Sequence, residues 1–199
     1  FVKTTVYTHQ GSSTNGAAVI AFDRAKVTMD GIASSGWTGV GVDMVITSSE
    51  GNTVYTINDK PATQVISEYL NVDEDDLVRV GVTFPLLMKM PDGNEVLRAF
   101  LSADHERGAL VFAGFVPQGS RVRFSSSFGY TTIRETIQRL EDYHTTSPQA
   151  DLILLFSCMA RYRVAGPLIY DEIRTVFDLW NAPVIGFFAY GEMGCSLSS

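Results

Sequence analysis

The uninterrupted apolar run Leu152-Ile153-Leu154-Leu155-Phe156 limits what this chain can fold into more than any other feature. It lacks the polar alternation of a strand wetted on one face and is far too short to cross a bilayer, so it predicts a strand buried on both faces. After a loop, Pro167 opens a helix, because a fixed φ and a missing N–H suit the first helical turn. Leu168, Ile169, Ile173, Val176, Phe177 and Trp180 supply its buried face, and Asn181-Ala182-Pro183 stops it. Residues 184–190 then read as a second buried strand. Strand, helix and strand at this spacing predict a parallel crossover within residues 150–194.

Upstream, strands dominate. Residues 2–8, 17–22, 40–47 and 53–57 have strand character, with Val40, Val42, Met44 and Ile46 alternating. Pro61 then starts a helix to about Leu70, with Val65, Ile66, Tyr69 and Leu70 on one face. The acidic stretch 73–76 marks a boundary, after which residues 78–84, 96–102, 109–115 and 122–126 return to strands, with a turn at Asp92-Gly93. Thr132-Ile133-Arg134-Glu135 has capping-box spacing ahead of a helix that ends near His144. The expected fold is α/β or α+β, with two mixed-sheet subdomains of which the second holds the crossover.

Composition narrows the function. With 45% hydrophobic residues among 199, the chain can bury a core, and its 19% charged residues and lack of any long apolar run argue for a soluble protein outside the membrane. A net charge of -7 opposes attraction to nucleic acid or anionic lipid. The two cysteines, Cys158 and Cys195, form neither a disulfide framework nor a metal-ligand motif, which fits a reduced cytoplasmic protein. The absence of an initiating Met and the stop just after an apolar strand are expected of a trimmed fragment.

In open sheets, ligands favour the carboxyl ends of parallel strands. One strand here is followed by Ser157, Cys158 and Arg161, the other by Tyr190, Gly191 and Glu192. A guanidinium grips a carboxylate through parallel hydrogen bonds, and a carboxylate accepts from an ammonium, so Arg161 and Glu192 suit a zwitterion. Tyr190 would add an aromatic wall or a hydroxyl, and Gly191 would permit close backbone approach. The plainer alternative is that Arg161 and Glu192 pair with each other or with solvent.

The segments Leu155-Phe156-Ser157-Cys158-Met159-Ala160-Arg161 and Pro183-Val184-Ile185-Gly186-Phe187-Phe188-Ala189-Tyr190-Gly191-Glu192-Met193-Gly194 resemble the C-terminal module of the FIST family, named for F-box and intracellular signal transduction proteins. Gly36-Trp37, Val45-Ile46-Thr47, Gly51-Asn52 and Asp59-Lys60-Pro61-Ala62 look like the end of its N-terminal module. The resemblance assigns 1–72 to the later part of the N-terminal module and 73–199 to a truncated C-terminal module. It implies a sensory, ligand-binding unit with an amino acid as ligand and a signalling partner such as a kinase or cyclase module. Some members are described as haem-binding nitric oxide sensors, which makes haem the alternative ligand, and His9, His105 and His144 are the available axial candidates.

Other signals point elsewhere. Cys158 beside Arg161 suggests a nucleophile, but no histidine lies near the strand ends in sequence, so cysteine-based acyl or redox chemistry lacks its base. Gly36-Trp37-Thr38-Gly39-Val40-Gly41 is followed by an alternating strand rather than a helix, which marks bends and a packed aromatic rather than a phosphate loop. Asp73-Glu74-Asp75-Asp76 lacks the spacing of a calcium loop. A binding domain without catalysis is therefore expected, with a purely structural interaction module as the third possibility.

Overall fold

The computed structural model describes residues 5–90 and 93–191, and the chain forms two compact units, Phe1–Ile32 and Ala33–Ser199. In the first unit, β1 (Val6–Thr8) and β2 (Gly11–Ser13) pair as a tight antiparallel hairpin. Residues 17–22 do not form the expected strand. Among the described residues they have no neighbouring strand to satisfy their backbone groups, and Val19 and Ile20 are exposed, so the β-branched composition alone does not produce a ladder.

The second unit is built on an antiparallel half-barrel sheet. Its strands are β3 (Thr38–Glu50), β4 (Thr53–Ile57), β5 (Lys60–Pro61), β6 (Leu86–Lys89), β7 (Glu95–Arg98), β8 (Phe100–Asp104), β9 (Ala109–Phe112) and β10 (Arg121–Ser126). The order across the sheet is β7-β6-β10-β3-β4-β9-β8, with β5 beside β4. Strands from either side of the acidic stretch therefore share one ladder. Their inward residues, among them Ile46, Ile57, Leu86, Phe100, Phe112 and Phe124, join Ile66 of α1 (Ala62–Leu70) in one core.

β3 alternates as expected at Met44 and Ile46 but not at Val42, which is exposed. Opposite β10, Met44 pairs with Val122 and Val40 with Phe124, so a bulge absorbs the residues between and turns Val42 outward. Gly41 adopts φ +77 there, and the Tyr69 hydroxyl occupies the place of its missing side chain. The expected strand over 78–84 is instead α2 (Leu77–Val80) and a turn. Glu74, Asp75 and Asp76 form a 3-10 turn that feeds this helix, while Gly81 packs against Phe100 where a β-carbon would lie 2.5 Å from its carbonyl oxygen. The expected strand over 96–102 divides at Ala99 into β7 and β8 as the chain passes from β6 to β9.

The rest of the unit is α3 (Tyr130–Thr146), β11 (Ile153–Cys158), α4 (Met159–Ala165), α5 (Ile169–Trp180) and β12 (Val184–Ala189). β11 and β12 are parallel and in register, giving the expected crossover. The loop expected after Phe156 is replaced by two further strand residues and α4, since the 159–163 segment has no helix breaker before Gly166-Pro167. Ile133 of α3, Ala165, Ile169 and Phe188 of β12 make a second core cluster. That cluster covers one face only. Leu154, Phe156, Ile185 and Phe187 line the other face of the pair and are exposed, Phe156 by 52% and Phe187 by 64%. A continuous apolar run therefore does not mean burial on both sides here. Helices pack on one side of this two-stranded sheet, and no described element covers the other.

Candidate functional site

Because Cys158 is opposite Ala189 in the parallel register, the carboxyl ends of β11 and β12 lie side by side. Tyr190 and Gly191 leave one end, and α4 starts directly at the other. Ser157 points to the helix-covered face with Ile153 and Leu155 and is buried, and its Oγ has no hydrogen-bond partner among the described residues. Cys158 is half-buried. Tyr190 is exposed, and a β-carbon at Gly191 would meet nothing within 4 Å. Glu192 and Cys195 lie outside the described residues, as do the expected pairing of Glu192 with Arg161 and any disulfide to Cys195.

The Arg161 guanidinium is held by groups from three surrounding segments. It is only 5% exposed. One terminal nitrogen, Nη1, donates to the Ser35 carbonyl, and Nη2 donates to the Glu172 carboxylate and, at 3.1 Å, to Thr136 Oγ1. Thr136 Oγ1 in turn lies 3.2 Å from Ser34 Oγ. Arg161 Nε is buried and has no partner among the described residues. The guanidinium thus joins α4 to α3, to α5 and to the segment that leads into β3.

Glu172 was not anticipated as part of the site. Burial pushes its carboxyl above the ordinary glutamate value, and the charge and hydrogen bond of Arg161 oppose that push without cancelling it. A sequence signal for it did exist. The buried positions of α5 are Ile169, Glu172 and Val176, so a carboxylate occupies the apolar stripe at helical spacing. A charge in that position needs a buried cation, and Arg161 provides it.

The Ser35 carbonyl held by Arg161 belongs to a wall formed by residues 34–39. Thr132 Oγ1 donates to the Gly36 carbonyl at 3.1 Å and accepts from the Phe128 N–H at 3.1 Å. Gly36 adopts φ +74, and a β-carbon there would lie 2.3 Å from Thr132 Cγ2, so only glycine lets the wall come this close to α3. Thr132 was expected as an N-cap, but α3 begins earlier, at Tyr130, and leaves Thr132 free to make these tertiary bonds. Trp37 is anchored through its Nε1 on the Thr83 carbonyl at 3.0 Å.

Haem would need an axial imidazole over an apolar slot. His105 lies on a loop 3.5 Å from Glu74, and the His144 and Trp180 rings stand perpendicular with centroids 5.0 Å apart. His9 is exposed in the first unit. These residues do not fit the group. Among the described residues no three of histidine, cysteine, aspartate and glutamate cluster as metal ligands, and no helix is long and apolar enough to cross a membrane.

Comparison with known families gives two matches: the FIST C domain over residues 62–195 and the FIST N domain over residues 1–60. Neither a curated protein nor a solved structure was found to be similar to the chain.

Proposed function

The chain belongs to the FIST family, whose domains are sensory domains of signalling proteins, and from that premise we propose that it binds a small amino-acid-like ligand without catalysis. The reading includes a cytoplasmic setting and a signalling partner such as a kinase or cyclase module. The supporting observation is local. Ser157 Oγ, near the carboxyl end of β11, and Arg161 Nε, on α4 just after it, are both buried and without a partner among the described residues. Buried polar atoms in that condition are rare and costly, and a polar ligand or ordered water relieves them.

The proposed division of roles follows the chemistry of each group. Ser157 and Arg161 present a hydroxyl and a cationic N–H from the buried side. Cys158 and Gly191 form the rim, Tyr190 gives an aromatic side, and Glu192 receives the ammonium. Thermal-shift screening against a panel of α-amino acids tests this. A ligand at about 100 times its Kd stabilises the native state by about 2.7 kcal/mol, a readily measured rise in Tm. The proposal expects at least one such rise, lost in Ser157→Val and reduced in Glu192→Ala. A flat panel, or a rise that both variants retain, contradicts it.

A further inference from the structure

A separate recess is lined by the wall of residues 34–39, with a volume of about 340 Å³. This is within the lower part of the range of small-molecule sites, about 300–1,000 Å³. Its remaining lining comes from Glu95, Arg123, Glu135 and Arg139. Arg123 and Glu95 neutralise each other at 3.2 Å, with Asp43 4.0 Å from Arg123. Glu135 and Arg139 form no ion pair among the described residues, although they stand on the same face of α3. The recess therefore offers one carboxylate and one guanidinium, carried by residues one helical turn apart on α3, about 6 Å of backbone rise.

From this geometry we propose that the recess is a second ligand site, for a small ω-amino carboxylate. The ligand carboxylate takes the forked guanidinium of Arg139, and its ammonium donates to Glu135. A ligand lying along α3 from one residue to the other spans about one helical turn, which suits charges carried at the two ends of a short methylene chain. The wall is pre-organised for this, because Arg161 and Thr132 hold the Ser35 and Gly36 carbonyls from behind and Thr83 anchors Trp37. Pre-organisation removes part of the ordering cost of binding. This site shares no lining residue with the strand ends and does not depend on ligand binding there.

Trp37 lines the recess, so it serves as the reporter. The experiment titrates the Trp180→Phe protein with 5-aminopentanoate while following Trp37 fluorescence and, in parallel, the heat of binding. Pentanoate, pentylamine and glycine are the comparators. The site predicts saturation by 5-aminopentanoate and binding weaker by about tenfold or more for each comparator, since each loses or misplaces a charge-assisted hydrogen bond. Glu135→Gln and Arg139→Gln each raise the midpoint by about tenfold, with Tm unchanged because both side chains are exposed. Ser157→Val leaves the midpoint where it was, which separates this site from the strand ends. Neither fluorescence nor heat of binding into the millimolar range, an equal response to pentanoate, or a midpoint indifferent to both α3 substitutions overturns the proposal.

Discussion

Arg161 and Glu172 form a buried ion pair across the crossover, one on α4 and the other on α5, with their side chains only 5% and 9% exposed. Removing one partner strands the other charge away from water. Arg161→Ala and Glu172→Ala should each destabilise the protein by about 3–5 kcal/mol. A double replacement by Met at 161 and Leu at 172 should cost far less than the sum, because both charges leave together. Urea unfolding of the single and double variants checks this, and additive losses would show that the pair is not a coupled unit.

The same pair gives a pH dependence with a definite sign. Burial raises the Glu172 carboxyl in the folded state, and Arg161 opposes the rise. The native state therefore holds this proton more tightly than the unfolded chain. Its contribution is complete below the unfolded value, about 4.3, and is lost as pH rises through the raised folded value. The stability of the native sequence relative to Glu172→Gln should fall with pH across that window. Denaturant unfolding at a series of pH values measures the difference, and a gap that widens as pH rises contradicts the assignment.

How much was visible in the residues alone differs between the two halves of the site. The crossover is legible because apolar runs, Pro167 and Asn181-Ala182-Pro183 punctuate residues 152–190, while the register of β11 with β12 comes from the structure. The exposure of Phe156 and Phe187 was not legible, since a continuous apolar run has no pattern to say which face is covered. Arg161 stands out in the sequence as a charge that follows a buried strand, but nothing in that position points to its burial or to Glu172 as its partner, because Glu192 follows the neighbouring strand in the same way. Glu172 on α5 was overlooked within the apolar list that surrounds it. The outward turn of Val42 is not legible, as a bulge shifts the alternation without changing the composition, whereas Gly41 does mark the bend expected of it.

The bulge makes its own prediction. Gly41→Ala places a β-carbon 1.6 Å from the Tyr69 hydroxyl at a positive φ, so both contact and backbone oppose it. The expected loss is about 1–3 kcal/mol. Tyr69→Phe should relieve part of it in the double variant, because the hydroxyl is the nearest atom. Gly51→Ala, with nothing within 4 Å, isolates the backbone contribution. Thermal unfolding of the three variants and the double variant gives the comparison, and equal losses at Gly41 and Gly51 would mean that Tyr69 does not fill the notch.

The two faces of the β11–β12 pair should respond oppositely to truncation. Phe187→Thr on the open face should change stability by about 0.5 kcal/mol or less, as exposed substitutions do. Ile169→Ala in the covered cluster should cost about 2–5 kcal/mol. Chemical denaturation of both variants tests the burial pattern, and a large loss at Phe187 would mean that its face is covered.

The account rests most on ligand binding at the carboxyl ends of β11 and β12. Isothermal titration calorimetry with the α-amino acid that gives the largest thermal shift is the most direct measurement, made on the native sequence and on Ser157→Val. Saturable binding that weakens by about tenfold or more in Ser157→Val is predicted, because a buried hydrogen bond to a charged ligand is lost. An affinity that is the same in both proteins would contradict the claim that these strand ends form the sensor's site.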